Sequence, residues 1–89
     1  MNFEWDEAKG QQNLEKHGVT FDYAMRAWLD PYFKEWQDTR KDYNEDRFIR
    51  LALIENYLYH VSFTYRDDVI RIISARRANK KERKEYEAA

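Results

Sequence analysis

RFIRLALIENYLYHVSFTYRDDVIRIISAR, residues 47–76, decides the fold. Arg47 to Ile54 and Tyr57 to Tyr65 are rich in β-branched and aromatic residues and flank the short break Glu55-Asn56, which predicts an antiparallel hairpin. In its second arm Tyr57, Tyr59, Val61, Phe63 and Tyr65 alternate with Leu58, His60, Ser62 and Thr64, the period-two pattern of a strand. A further turn at Arg66-Asp67-Asp68 leads into Val69 to Arg76 and extends the hairpin to a meander. On strict alternation Arg76 shares a face with Ile70, Ile72 and Ser74, whereas Arg71 and Arg77 share the other.

Towards the N-terminus, the polar stretch Gln37 to Asp46 reads as a loop, and Tyr32 to Trp36 before it as a short aromatic strand. Asp30-Pro31 ends a helix, because the residue before proline is pushed out of the α region. That helix is capped by Thr20 and carries Phe21, Ala24, Met25 and Trp28 at core-facing spacing. A first helix over residues 7–17 is bounded by Asp6 as N-cap and Gly18 as C-terminal glycine. Towards the C-terminus, Asn79 and Glu82 form a capping-box pattern that opens a basic helix through about Tyr86. The order predicts an α+β domain: two N-terminal helices, an antiparallel sheet of about four strands, and a C-terminal helix.

The chain has 89 residues and no glycine- or proline-rich break, which predicts one domain over residues 1–89. Cysteine is absent, so disulfides, thiolate metal sites and thiol nucleophiles are excluded. The N-terminus lacks an apolar signal segment, and no run approaches the ~20 apolar residues of a membrane span. A cytoplasmic protein without membrane association is expected. The formal net charge is only −1, yet it is unevenly spread. Residues 1–70 carry nine Lys/Arg against fourteen Asp/Glu, whereas residues 71–89 carry seven against three. A basic end on an acidic body is either a solvated helix or a local contact for phosphates.

Two groups of side chains suit phosphate chemistry. Lys9, Asn13, Lys16 and His17 recur at helical spacing on one face, shared with the incoming Trp5, and all can donate to a phosphate. His17 also fits an ordinary C-terminal helix cap. Arg47, Arg66, Arg71, Arg76 and Arg77 lie on or beside three neighbouring strands, and the guanidinium fork binds phosphate bidentately at any working pH. Arg76 fits an ion pair equally well. Glu45 and Glu82 are carboxylates suited either to arginine pairing or to a base, and Tyr86 either anchors the last helix or stacks a base. His60, beside Leu58, Ser62 and Thr64, reads as a hydrogen-bonded structural histidine. The chain has neither a glycine-rich phosphate loop nor a metal-ligand spacing. Any catalysis is therefore expected to need no metal or cofactor. RNA permits this, because its own 2′-hydroxyl attacks the phosphate once a base removes its proton.

Several ordered segments resemble one family. FEWDEAK (3–9), NLEKHGVTFDYA (13–24), Asp30-Pro31, EDRF (45–48) and RIISARRANKKERKEYE (71–87) are similar to the signature segments of BrnT toxins and span nearly the whole chain. The resemblance implies a RelE-like fold and a ribonuclease that blocks translation. It also implies neutralisation by a BrnA-type antitoxin, in a complex of two toxins and two antitoxins that represses its own operon. Operator DNA is then reached only through the antitoxin. Among the matching polar positions, Trp5, Asp6, Asn13, Ser74 and Glu82 stand beside the cations, and Asp6, Asn13 and Glu82 are expected to be structural.

The expected catalytic set is Lys9, His17, Glu45, Arg47, Arg66 and Arg76, with Lys16, Arg71, Arg77, Lys80 and Tyr86 holding RNA. Two other readings stand beside this one: a non-catalytic module that docks a partner through exposed aromatics and strand edges, and direct operator binding by the basic terminal helix. The latter lacks an accompanying helix-turn-helix pattern.

Overall fold

The computed structural model describes residues 1–88. Strand β1 (Asn2–Glu4) is followed by helix α1 (Glu7–His17), the short helix α2 (Phe21–Ala24) and a 3₁₀ segment (Met25–Leu29). Strands β2 (Lys34–Asp38), β3 (Arg47–Ile54), β4 (Tyr57–Arg66) and β5 (Val69–Arg77) then lead to helix α3 (Lys80–Glu87). The sheet runs β1-β5-β4-β3-β2.

The meander holds as read, with β3, β4 and β5 antiparallel in sequence order. The sheet differs from expectation in being mixed and five-stranded, because Asn2–Glu4 pairs parallel with Val69–Arg71. Three residues are too short a run to show alternation, so only the return of the chain to that edge reveals them as a strand. The second helix is one α turn that tightens into 3₁₀ before Asp30-Pro31. The strand after it begins two residues late, at Lys34.

One face of the sheet carries the main core. Phe63, Val61, Ala52, Ile54, Ile70, Ile72 and Ala75 pack there against Val19, Phe21, Ala24 and Ala27 from the helical layer. Trp28 lies edge-on to Phe63 and Phe3 at centroid distances of 4.9 and 5.2 Å. Arg50 also points to this side, where it pairs with Glu35 at 2.9 Å and lies over Phe33 and Trp28.

A register shift interrupts β5. Ser62 faces Ser74 while Phe63 faces Ile72, which leaves Ile73 as the extra residue of a bulge. One inserted residue reverses the sidedness of everything beyond it. Arg77 and Ala75 therefore join Ile72 and Ile70 on the core side, and Arg76 joins Ser74 and Arg71 on the opposite face. This corrects strict alternation, which groups Arg76 with the isoleucines and Arg71 with Arg77.

Beyond β1 the outer edge of β5 is closed by a side chain. Asn13, buried on α1, accepts from the Ala75 amide at 3.1 Å and donates to the Ala75 carbonyl at 2.8 Å. Its amide nitrogen also donates to the Val19 carbonyl at 2.9 Å, tying the loop after α1 to the same point. The carboxamide thus pairs with β5 as a neighbouring strand does and hides an edge that is otherwise open to another chain. Asn13→Ala removes three buried hydrogen bonds and strands three backbone groups, the Ala75 amide and carbonyl and the Val19 carbonyl. It is expected to lower the unfolding free energy by about 2–3 kcal/mol in urea titrations followed by circular dichroism.

Candidate functional site

The sheet face opposite the main core carries two hollows. Docking of Asn13 sets Lys9, Lys16 and His17, four residues before and three and four after it, on the flank of α1 that faces this side. Together with Arg47 from β3 and Ile73 and Ser74 from β5, they line a hollow of about 270 Å³ that contains no carboxylate. Lys9 and Lys16 are exposed, and His17 and Arg47 are half-buried. Asp6 caps α1 by accepting from the Lys9 amide, and Gly18 ends it at a φ of 71°, which a side chain adopts only with strain.

Glu45 and Arg66 adjoin this hollow through Arg47. One Glu45 oxygen accepts from Arg47 Nε at 3.1 Å and the other lies 3.6 Å from Arg66. The Arg47 guanidinium lies 4.1 Å from the Tyr43 ring centre, which adds a cation–π contact. Five of the six expected catalytic side chains are thus neighbours.

Arg76 is the exception. It lines a second hollow of about 470 Å³ with Trp36, Ile49, His60 and Glu82, and both its terminal nitrogens donate to Glu82, at 2.9 and 2.8 Å. Glu82 also completes the capping box of α3, accepting from the Asn79 amide. Arg76 therefore holds the start of α3 on the sheet, the ion-pair alternative of the sequence reading.

The expected RNA-holding residues are dispersed. Arg71 pairs with Glu4 at 2.6 Å beside β1, and Arg77 lies over the Tyr57 ring on the core side. Lys80 is exposed at the first position of α3. Tyr86 anchors: its hydroxyl donates to Asp30 at 2.5 Å, and burial followed by that carboxylate pushes its pKa up to about 12. Trp5 leaves the cationic side as well, packing edge-on to Phe21 beside Gly10. Lys16 alone of this expected set reaches the first hollow.

The second hollow contains residues that sequence did not single out for function, Trp36, Asp38 and Arg40. Register brings the strand residues of this hollow together: Trp36 faces Ile49, and His60 faces Arg76. No local pattern carries that information. Asp38 accepts from Arg40 at 2.9 and 3.0 Å and from the Tyr43 hydroxyl at 3.0 Å, and the Arg40 guanidinium holds it far below the usual carboxylate range. His60 is buried, with Nδ1 unpartnered and Nε2 3.7 Å from Glu82. Burial, and then the Arg76 charge, push its pKa down from 6.5, so we take His60 as neutral and its approach to Glu82 as no ion pair.

Among the described residues, no group of three or more His, Asp or Glu side chains is placed to hold a metal ion, and no helix is long and apolar enough to cross a membrane.

The hydrogen-bonded carboxylates Asp30 and Glu82 set an acid limit. Burial alone raises the pKa of Asp30 and Glu82; hydrogen bonds from Tyr86 and the Leu53 amide to Asp30, and from Arg76 to Glu82, outweigh it and leave both depressed. A depressed folded pKa adds stability above the ordinary values of 3.8 and 4.5 that is lost as pH falls through the folded ones. His60 acts in the same direction, since below 6.5 the unfolded chain takes up its proton more readily. The urea midpoint is expected to fall steadily from about pH 7 to about pH 3. Glu82→Gln is expected to make that fall shallower, and the comparison of the two titrations checks it.

A comparison with curated proteins finds no match. The family model described as the ribonuclease toxin BrnT of type II toxin-antitoxin systems matches residues 5–82, nearly the whole chain. That span runs from Trp5 through α1, the whole meander and Arg76 to Glu82, and so takes in the first hollow and every lining residue of the second but Glu85. This chain belongs to the BrnT family of ribonuclease toxins of type II toxin-antitoxin systems.

Proposed function

We propose that the chain cleaves RNA by 2′-hydroxyl attack, without a metal, in the hollow between α1 and the sheet. The observation that carries this is the convergence of Lys9, Lys16, His17 and Arg47 on Ser74, with no carboxylate among the lining residues. Positive side chains on a concave surface concentrate field where a phosphodiester must sit, and they stabilise the extra negative charge of its transition state.

A base takes the 2′-hydroxyl proton, O2′ bonds to phosphorus, and the bond to the 5′-oxygen breaks as that oxygen gains a proton. The products are a 2′,3′-cyclic phosphate and a free 5′-hydroxyl. Imidazole exchanges protons near neutral pH, which suits His17 to either transfer, and Glu45 beside Arg47 is the neighbouring carboxylate. Arg66 and Arg47, held by one glutamate, orient each other towards the same phosphate.

The same reading places a BrnA-type antitoxin against the chain, two of each in the complex, and assigns operator binding and operon repression to that complex. Cleavage in the cytoplasm halts translation.

Purified protein incubated with end-labelled RNA in chelator is expected to give fragments ending in a cyclic phosphate. Lys9→Ala and Arg47→Ala are each expected to slow cleavage about a hundredfold, with the circular dichroism spectrum unchanged. RNA left intact by the wild-type chain would overturn the reading in favour of a non-catalytic partner-binding module. Variants as fast as wild type would overturn the site.

A further inference from the structure

The second hollow has a different chemical character from the first. Its two arginines are already matched, Arg76 by both oxygens of Glu82 and Arg40 by Asp38, and its one lysine, Lys81, is offset in sign by Glu85 of the same lining. Paired guanidinium groups offer little net field to a phosphate. What the hollow offers instead is an indole, that of Trp36, which lines it and is 38 % exposed on strand β2, beside the buried side chain of Ile49 in register with it. The charges around it balance, Arg40, Arg76 and Lys81 against Asp38, Glu82 and Glu85, and Gln37, Thr39 and Asn79 add uncharged hydrogen-bonding groups. A volume of about 470 Å³ lies within the range of sites for small planar molecules.

The two hollows are joined by one row of the sheet. Trp36 faces Ile49, Ile49 faces Ser62 and Ser62 faces Ser74, so one cross-strand line runs on a single face from the indole to the hydroxyl lining the cationic hollow. Three strand spacings separate its ends, roughly 14 Å. A short unpaired stretch of RNA with its phosphate in the first hollow can therefore lay a neighbouring base in the second.

We propose that the second hollow is the base-binding subsite of this ribonuclease, taking one unstacked nucleobase of single-stranded RNA on the Trp36 indole. This rests on the cleavage reading above and adds what selects the strand. Aromatic side chains bind bases through their shared π-face, and hydrogen-bonding edges around such a platform discriminate between them. A duplex keeps its bases stacked and cannot supply the one the hollow needs.

The test uses the full chain, with fluorescently labelled 2′-deoxy oligonucleotides as probes that bind but cannot be cut, and RNA of the same sequences for cleavage maps. Trp36→Ala is expected to weaken single-strand binding about tenfold and to broaden the set of positions cut. Trp36→Phe, which keeps an aromatic face, is expected to retain most of both. Lys9→Ala is expected to weaken binding equally for all sequences without moving the cuts. Duplex RNA is expected to compete poorly.

A wild-type chain that cuts RNA while Trp36→Ala shows unchanged affinity and the same cuts would overturn the subsite alone. A wild-type chain that neither binds nor cuts would overturn the cleavage reading and the subsite with it. Circular dichroism of the exposed-strand variants separates either result from misfolding.

Discussion

The carboxamide of Asn13 bound to the backbone of Ala75 is the contact on which the arrangement turns. It pairs a helix to the edge of a sheet with hydrogen bonds at 3.1 and 2.8 Å, and both groups it satisfies on β5 are otherwise stranded. A helix held by apolar contacts alone can slide or rotate by part of a turn; one held by a two-point amide contact cannot. Lys9, Lys16 and His17, at i−4, i+3 and i+4 from Asn13, are fixed over Ser74 as a consequence. The interaction that protects the sheet edge also positions the cations.

The bulge at Ile73 is the second constraint. Without it, Arg76 falls on the core side and Arg77 on the outer side; with it, Arg77 lies across Tyr57 and Arg76 reaches Glu82. The inserted residue thus gives α3 its electrostatic seat. Helix α3 is fixed at its start by Arg76 and the capping box, and near its end by Tyr86 on Asp30. Asp30 in turn receives the Leu53 and Tyr32 amides, so one buried carboxylate joins the end of the 3₁₀ segment, strand β3 and the last helix.

These constraints divide the charged side chains into two environments on one sheet face. Near α1 the cations stand without carboxylates among the lining residues, except that Arg47 is steadied by Glu45 from outside; in the hollow near α3 Arg40 and Arg76 each have their own acid. An uncompensated cationic hollow suits a phosphate, whereas a balanced one with an indole wall suits a neutral ring. The near-zero net charge of the chain conceals this division, because it sums the two environments.

The sequence by itself determined the elements whose signals are local. The hairpin about Glu55-Asn56, the ends of α1 at Asp6 and Gly18 and the capping box of α3 each depend on residues within a few positions of one another, and each forms as read. The joint placement of Lys9, Lys16 and His17 was likewise legible, because it follows from helical spacing. Tertiary structure alone decided the parallel β1, the phase reversal at Ile73 and the separation of Arg76 from the other cations. It also decided that Trp36 and His60 share a wall. These depend on pairing between distant segments, and a one-residue shift in such pairing moves a side chain to the other face while leaving every local pattern unchanged.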